Sequence, residues 1–132
     1  MIAIVFLTHG SLGLELLKTA EMIIGKQDAV EVLSVHSGTT LSDLAERLDN
    51  LVEKYKDSGL VILTDMFGGS PSNVAMAYLV NENVEVITGA NLPMVIKILS
   101  DRRSVETPLE LCKIAAETAK NSIIIAGDVM RG

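Results

Sequence analysis

The sequence predicts an α/β fold of three layers, with helices on both faces of a mostly parallel central sheet. Two observations lead to this prediction. Short apolar runs rich in Ile, Val and Leu alternate with longer runs of helical periodicity along the 132 residues. The first apolar run is continuous, as in strands that are buried on both faces. A β-α-β-α succession of this kind implies parallel strands joined by right-handed crossovers.

The first half of the chain contains three strand signals separated by two helical ones. Apolar runs predict strands over residues 2–7, 30–35 and 60–63. Between the first two strands, apolar residues recur at helical spacing over residues 12–24, and the helix closes at Gly25. Before the third strand, Thr40 or Ser42 can cap a helix that ends near Ser58-Gly59.

The second half continues the alternation and adds one strand. Its predicted elements are a helix with Ser70 at the cap and Pro71 in first place, a strand over 84–87, a helix from Asn91 through 99, a helix from Pro108 to about 120, and a terminal strand over 123–126. First and third strands commonly lie side by side in such sheets. We therefore expect the order 2-1-3-4 for the four parallel strands, with the terminal run as an added strand.

Composition limits the possible functions. The length and the 48% hydrophobic content fit one domain over residues 1–132 with a substantial core. A net charge of −6 and only 3% aromatic residues argue against nucleic-acid binding. The single Cys112 excludes an internal disulfide and a cysteine zinc cluster, fits the cytoplasm, and is expected in the core. No signal peptide or membrane-spanning run is present.

Two residues at the predicted strand ends form a candidate reactive pair. His9 follows the first strand and Asp65 follows the third, at the sheet edge where open α/β folds place their active sites. Adjacent strands lie about 4.8 Å apart, so the carboxylate could accept a hydrogen bond from one ring nitrogen and leave the other free to attack. Each residue also has a simpler interpretation: His9 could only form a local hydrogen bond or cap, and Asp65 could be a turn residue. The second histidine, His36, is expected in an exposed loop.

Glycines and serines near this pair suit an anion. Gly10 and Ser11 begin one helix, and Gly68, Gly69 and Ser70 begin another, so that unpaired amides could bind a phosphoryl group. Turns and simple caps are the alternative interpretation of these residues. Four other classes of site lack their sequence signals here. The chain has no paired acids after strand 1, as a phospho-aspartate receiver would, and it has no P-loop, no dinucleotide-binding fingerprint and no nucleophile elbow of a serine hydrolase.

Four motifs occur in order along the chain: Thr8-His-Gly, Leu17-Lys-Thr-Ala-Glu-Met-Ile-Ile-Gly, Asp65-Met-Phe-Gly-Gly-Ser-Pro-Ser-Asn and Thr88-Gly-Ala-Asn-Leu-Pro-Met. With them the chain resembles, over nearly its whole length, the IIA component of the mannose-type (mannose–fructose–sorbose) sugar phosphotransferase system. Met66 and Phe67 lie in the third motif and are candidate docking residues. Some relatives carry Trp where this chain has Phe67, so the surface that contacts HPr or IIB can differ from theirs.

The resemblance implies a phosphotransferase component with a transient phosphohistidine. His9 would accept phosphoryl from the carrier HPr and pass it to a IIB component for sugar uptake, with the membrane reached only through the IIC/IID transporter. Asp65 would orient the ring, and Ser70 with its neighbouring amides would contact the phosphoryl group. No metal, nucleotide or other cofactor is expected, because the donor is already an activated phosphohistidine.

The resemblance also implies an assembly. The family exchanges its antiparallel edge strand between the subunits of a homodimer, which would cover the sheet edge with residues 123–126. Some relatives continue into a fused IIB domain, so IIB is expected on a separate polypeptide unless this chain has been trimmed.

Three alternatives stay open. They are a regulatory module that uses phosphorylated His9 as a signal, the phosphoryl-donor subunit of a dihydroxyacetone kinase, and an α/β domain without phosphotransfer. The Gly68-Gly-Ser-Pro match favours the sugar system over the kinase subunit.

Overall fold

Four parallel strands form the central sheet. The computed structural model describes residues 1–132. The strands are β1 Ala3–His9, β2 Val30–Val35, β3 Leu60–Thr64 and β4 Val84–Ile87. Their order in the sheet is β2-β1-β3-β4, and each neighbouring pair is parallel. The predicted fold class and the predicted order of the four parallel strands are confirmed.

Helices cover both faces of the sheet. They are α1 Leu12–Ile24, α2 Leu41–Lys54, α3 Ser70–Met76, α4 Leu92–Asp101, α5 Pro108–Asn121 and α6 Ala126–Arg131, with a 3₁₀ helix, Ala77–Val80, directly after α3. Three helices have side-chain caps: the side-chain oxygens of Thr40, Asn91 and Thr107 begin α2, α4 and α5. Each accepts the backbone N–H of the residue three positions later in the chain. None of these helices has both the length and the apolar composition that a bilayer-spanning helix requires.

The two faces of the sheet bury separate apolar clusters. Even-numbered residues of β1, such as Ile4 and Phe6, pack in a cluster with residues of α1, α4 and α5. Odd-numbered residues, such as Val5 and Leu7, pack in a second cluster with residues of α2 and α3. Side chains alternate between the faces of a strand, so β1, with β2 and β3 on its two sides, is covered on both faces. This central position holds the end of β1 rigidly.

Gly13 allows α1 to pack closely on β1. A Cβ at Gly13 would lie 3.0 Å from the Cβ of Phe6 and 3.1 Å from the Oγ1 of Thr8. The N–H of Gly13 donates to the buried Thr8 Oγ1 at 2.8 Å. The first turn of α1 is therefore fastened to β1 at the residue that precedes His9.

The C-terminal run differs from its prediction. Ile123, Ile124 and Ile125 are exposed, they form no strand, and α6 begins at Ala126. A strand needs a hydrogen-bonded neighbour, and in the single chain these residues leave α5 without meeting a sheet edge. The predicted strand over residues 123–126 is therefore wrong for the single chain, whereas its exchange with a second subunit stays a prediction.

Candidate functional site

The candidate site lies at the carboxyl edge of the two central strands. His9 is the last residue of β1, and Asp65 is the first residue after β3. The sequence predicted that β1 would end before His9, but Thr8 and His9 continue the pairing with β2. On the other side of β1, Leu7 lies opposite Thr64, so His9, two residues beyond Leu7, and Asp65, one residue beyond Thr64, reach the same edge.

His9 and Asp65 are joined by two hydrogen bonds. Asp65 Oδ2 accepts the backbone N–H of His9 at 3.1 Å and lies 2.8 Å from the ring Nδ1. A carboxylate can only accept, so Nδ1 carries the hydrogen. In the neutral ring, Nε2 then holds the lone pair. The His9 side chain is 48% exposed and that of Asp65 only 12%, which leaves the ring accessible while the acid is shielded.

The charge of Asp65 is also set by this contact. Partial burial raises the pKa of Asp65, but hydrogen bonds from the His9 ring, the His9 backbone and a further backbone N–H of the loop lower it more. The net effect places the pKa of Asp65 below its ordinary value of 3.8. The carboxylate is therefore ionised at neutral pH and stabilises positive charge on the ring.

Gly69 borders a second edge of the imidazole. A Cβ at Gly69 would lie 2.8 Å from the ring Cε1 and 3.4 Å from Nε2 of His9. Any side chain at this position would therefore push against the ring, and glycine is required for the close approach. The imidazole lies between the Asp65 carboxylate at Nδ1 and the Gly69 backbone beside Cε1 and Nε2.

A buried serine fixes the loop that carries Gly69. Ser72 Oγ accepts the N–H of Gly68 at 2.9 Å and donates to the C=O of Gly69 at 3.0 Å. The sequence pattern predicted the cap of α3 at Ser70, and no role was predicted for Ser72. In the structure Gly69 is the N-cap and Ser70 is the first helical residue, without a side-chain cap bond. The signal that could have indicated this role for Ser72 is a hydroxyl side chain three residues after a glycine pair.

The predicted anion-binding residues divide into two groups. The N–H of Gly10 donates to Val35 O at 2.8 Å, and that of Gly68 donates to Ser72 Oγ. Both glycines have positive φ, +55° and +89°, and contribute backbone shape rather than free donors. The N–H groups of Ser11, Gly69 and Ser70 donate to no acceptor within the chain.

The remaining candidates lie at and beyond the rim of the site. Met66 and Phe67 directly follow Asp65 and are exposed. His36 is exposed, as expected, and its N–H donates to Thr39 Oγ1. Cys112 is buried in the core, as expected, and burial raises the pKa of its thiol to about 12. No three His, Cys, Asp or Glu side chains are grouped as a metal site.

Comparison with known proteins gives the family. Residues 3–121 match the profile of EIIA-man, described as the fructose IIA component of the phosphotransferase system (PTS). The chain belongs to the EIIA-man family. This confirms the resemblance drawn from the four sequence motifs, since the match extends over all of them.

Individual relatives agree with this assignment. The mannose-specific EIIAB component of the PTS from Escherichia coli strain K12 is 37% identical to this EIIA chain over 124 residues, 92% of this chain. The chain spans 38% of the length of that protein. The sorbose-specific EIIA component from Klebsiella pneumoniae is 26% identical over 126 residues, which cover 95% of this chain and 92% of that protein.

A solved structure shares the fold. The crystal structure of phosphotransferase system component EIIA from Streptococcus agalactiae matches this EIIA chain with a TM-score of 0.90 at 26% identity. The match covers 97% of this chain and 99% of that one. The sheet order and the flanking helices are therefore those of an EIIA component.

Proposed function

We propose that this EIIA protein is a phosphocarrier in which His9 receives a phosphoryl group from phosphorylated HPr and passes it to a IIB component for sugar uptake. One observation supports the role of His9 above all others. Its Nδ1 is held on the Asp65 carboxylate at 2.8 Å, while nearly half of the side chain is exposed. A nucleophilic nitrogen needs a fixed tautomer and access for its partner.

The transfer step follows from the assigned hydrogen. The lone pair of His9 Nε2 attacks the phosphorus of the donor phosphohistidine, so a new N–P bond forms at Nε2. The N–P bond of the donor breaks, and its electron pair returns to the donor imidazole. The proton on Nδ1 stays in place, and the ionised Asp65 stabilises the positive charge that the His9 ring acquires. The reverse sequence of bond changes delivers the group to IIB.

Backbone donors support binding of the phosphoryl oxygens. The N–H groups of Gly69 and Ser70 have no acceptor within the chain, and Gly69 lies directly beside the ring edge that carries Nε2. Ser11, two residues after His9, supplies another unbonded N–H. Such donors stabilise the charge that spreads over the oxygens during phosphoryl transfer.

The partners must reach Nε2 across the rim. Met66 and Phe67 are exposed next to Asp65 and offer an apolar contact for HPr and IIB, since exposed apolar side chains beside a site mark protein contacts. For the assembly, we propose a homodimer in which residues 123–126 of each chain pair with the sheet of the other. The exposure of three consecutive isoleucines there supports this proposal.

Radiolabelled phosphoenolpyruvate tests the carrier role. The protein is incubated with enzyme I and HPr, and we expect an acid-labile label that passes on when IIB is added. The matched variants are His9→Ala, expected to take no label, and His36→Ala, expected to label as the wild type does. Equal labelling of the His9→Ala variant would refute the assignment of His9. Retention of the label on this protein when IIB is present would refute the second transfer.

A further inference from the structure

A fully buried hydroxyl, that of Ser72, hydrogen-bonds to Gly69, the residue that lies beside the imidazole of His9. Ser72 has no exposed surface. Its Oγ accepts from Gly68 N–H at 2.9 Å and donates its only hydrogen to Gly69 C=O at 3.0 Å. Because both bonds end on neighbouring glycines, the hydroxyl fixes the orientation of the peptide groups on both sides of the glycine pair.

The loop needs such a tether. Gly68 has φ of +89° and Gly69 has φ of −79°, and two consecutive glycines lose more conformational freedom on ordering than any other residue pair. Ser72 is the one side chain that hydrogen-bonds to the backbone of both glycines. The C=O of Gly69 also accepts the N–H of Asn73 at 3.0 Å, so the restraint that Ser72 alone supplies is the bond that holds the N–H of Gly68.

The position of Gly69 in turn limits the ring. A Cβ there would lie 2.8 Å from Cε1 of His9, so the ring lies closer to this loop than a residue with a side chain would allow. Asp65 holds the Nδ1 side at 2.8 Å. The ring therefore has the carboxylate at Nδ1 and the backbone of Gly69 beside Cε1 and Nε2.

We propose that Ser72 is a positioning residue for His9. It acts through Gly69, and it keeps the ring in the orientation and tautomer that leave Nε2 available for the incoming phosphoryl group. Because Ser72 also takes up the N–H of Gly68, it leaves Gly69 and Ser70 as the loop donors for that group. The consequence for phosphoryl transfer rests on the proposed function, whereas the consequence for the ring does not.

A purely structural serine would behave differently. If Ser72 only stabilised the start of α3, its removal would lower the unfolding midpoint and leave the His9 ring nitrogens unchanged. The ¹⁵N chemical shifts of the imidazole separate the two roles, because they report which nitrogen carries the hydrogen.

The experiment compares Ser72→Ala and Ser72→Cys with the wild type. The control is Ser58→Ala, because Ser58 Oγ also bonds the backbone at two points, donating to the carbonyl oxygens of Tyr55 and Gly59, away from the site. In Ser72→Ala we expect the His9 nitrogen shifts to move towards a mixture of tautomers, and phosphoryl transfer from HPr to slow by about 10- to 100-fold. The Cys variant, with its weaker hydrogen bonds, should show smaller changes in the same direction. The Ser58→Ala variant should match the wild type in both measurements.

Unchanged nitrogen shifts in folded Ser72→Ala would overturn the proposal. If that variant does not fold, the Cys variant decides in the same way, because its thiol occupies nearly the same space. Failure of the carrier hypothesis gives a different result, since the wild type itself would then accept no phosphoryl group. In that case the nitrogen shifts of the Ser72 variants would still decide whether Ser72 positions the ring.

Discussion

Asp65 Oδ2 accepts two hydrogen bonds from the same residue, one from the Nδ1 of His9 at 2.8 Å and one from its backbone N–H at 3.1 Å. The backbone bond fixes the path of the chain where β1 ends. The ring bond fixes the rotation and the tautomer of the side chain. A change at Asp65 therefore removes two restraints on His9 together, along with the negative charge that opposes the charge of the phosphorylated ring.

Replacing the carboxylate by an amide separates charge from shape. We expect Asp65→Asn to fold and to accept phosphoryl from HPr about 10²- to 10⁴-fold more slowly, because the amide can donate to the ring and favour the wrong tautomer. Single-turnover transfer from phosphorylated HPr measures the rate. Asp57→Asn is the control, since Asp57 is exposed and makes no hydrogen bond or ion pair. A wild-type rate in Asp65→Asn would contradict the assigned role.

A methyl group at position 69 tests the close approach to the ring. We expect Gly69→Ala to displace the imidazole, because its Cβ would lie 2.8 Å from Cε1. Phosphoryl transfer should slow by at least about tenfold. Gly38→Ala provides the comparison, since nothing lies within 4 Å of a Cβ there, and its rate should not change. The ring displacement is measured from His9 side-chain NMR signals, and equal spectra for Gly69→Ala and the wild type would exclude it.

The lowered pKa of Asp65 predicts a particular dependence of stability on pH. A group whose pKa falls on folding stabilises the fold above its unfolded value, here 3.8, and that stabilisation disappears as the pH falls through the lower folded value. The wild type should therefore exceed Asp65→Asn in unfolding free energy at about pH 5, by a margin that shrinks towards about pH 3. Urea titrations of both proteins measure the margin. An increase of the margin in acid would show that the sign is wrong.

A buried arginine secures the edge of the sheet opposite the site. Arg102 is 1% exposed, makes no ion pair with a carboxylate, and burial lowers its pKa. Its guanidinium donates to four oxygens, the backbone carbonyls of Ile2, Asp28 and Ala29 and the side-chain oxygen of Gln27. The group thereby joins the start of β1 to the connection between α1 and β2.

Loss of this guanidinium should lower stability without changing the chemistry. We expect Arg102→Met to reduce the unfolding free energy by about 3–5 kcal/mol, because the four hydrogen bonds that the buried guanidinium donates are lost. The control is its exposed neighbour, because Arg103→Met should change the unfolding free energy by about 0.5 kcal/mol or less. Urea unfolding gives both values. Phosphoryl transfer per folded molecule should stay the same in each variant, and a selective loss of transfer in Arg102→Met would argue against a structural role.

Local signals explain what could be predicted from the sequence. Helix α1 and strand β2 have their predicted bounds, because periodicity and terminating glycines act within a few residues. The pairing of His9 with Asp65 also followed, since neighbouring first and third strands are a general property of such sheets.

Contacts that a local sequence pattern does not specify explain what could not be predicted. The acceptor of the Gly10 amide is Val35 O, which depends on how β1 meets β2. The acceptor of the Gly68 amide is Ser72 Oγ, four residues further on, which depends on the shape of the turn that opens α3. The strand expected over residues 123–126 failed for a related reason. Its apolar, β-branched composition favours a strand. Whether the segment forms one depends on a neighbouring sheet edge with which it can make hydrogen bonds.

The alignment of β1 with β3, which sets Leu7 against Thr64, has a consequence for protein engineering. A slip of one residue would reverse the faces to which the side chains point and would shift Asp65 along the sheet edge relative to His9. The helix and strand content would scarcely change, so circular dichroism would not detect the error. Phe6 and Leu63 lie opposite each other in this register, so variants at these two positions should be checked for reactivity as well as for secondary structure. Screens for more stable variants should measure the reactive pair directly.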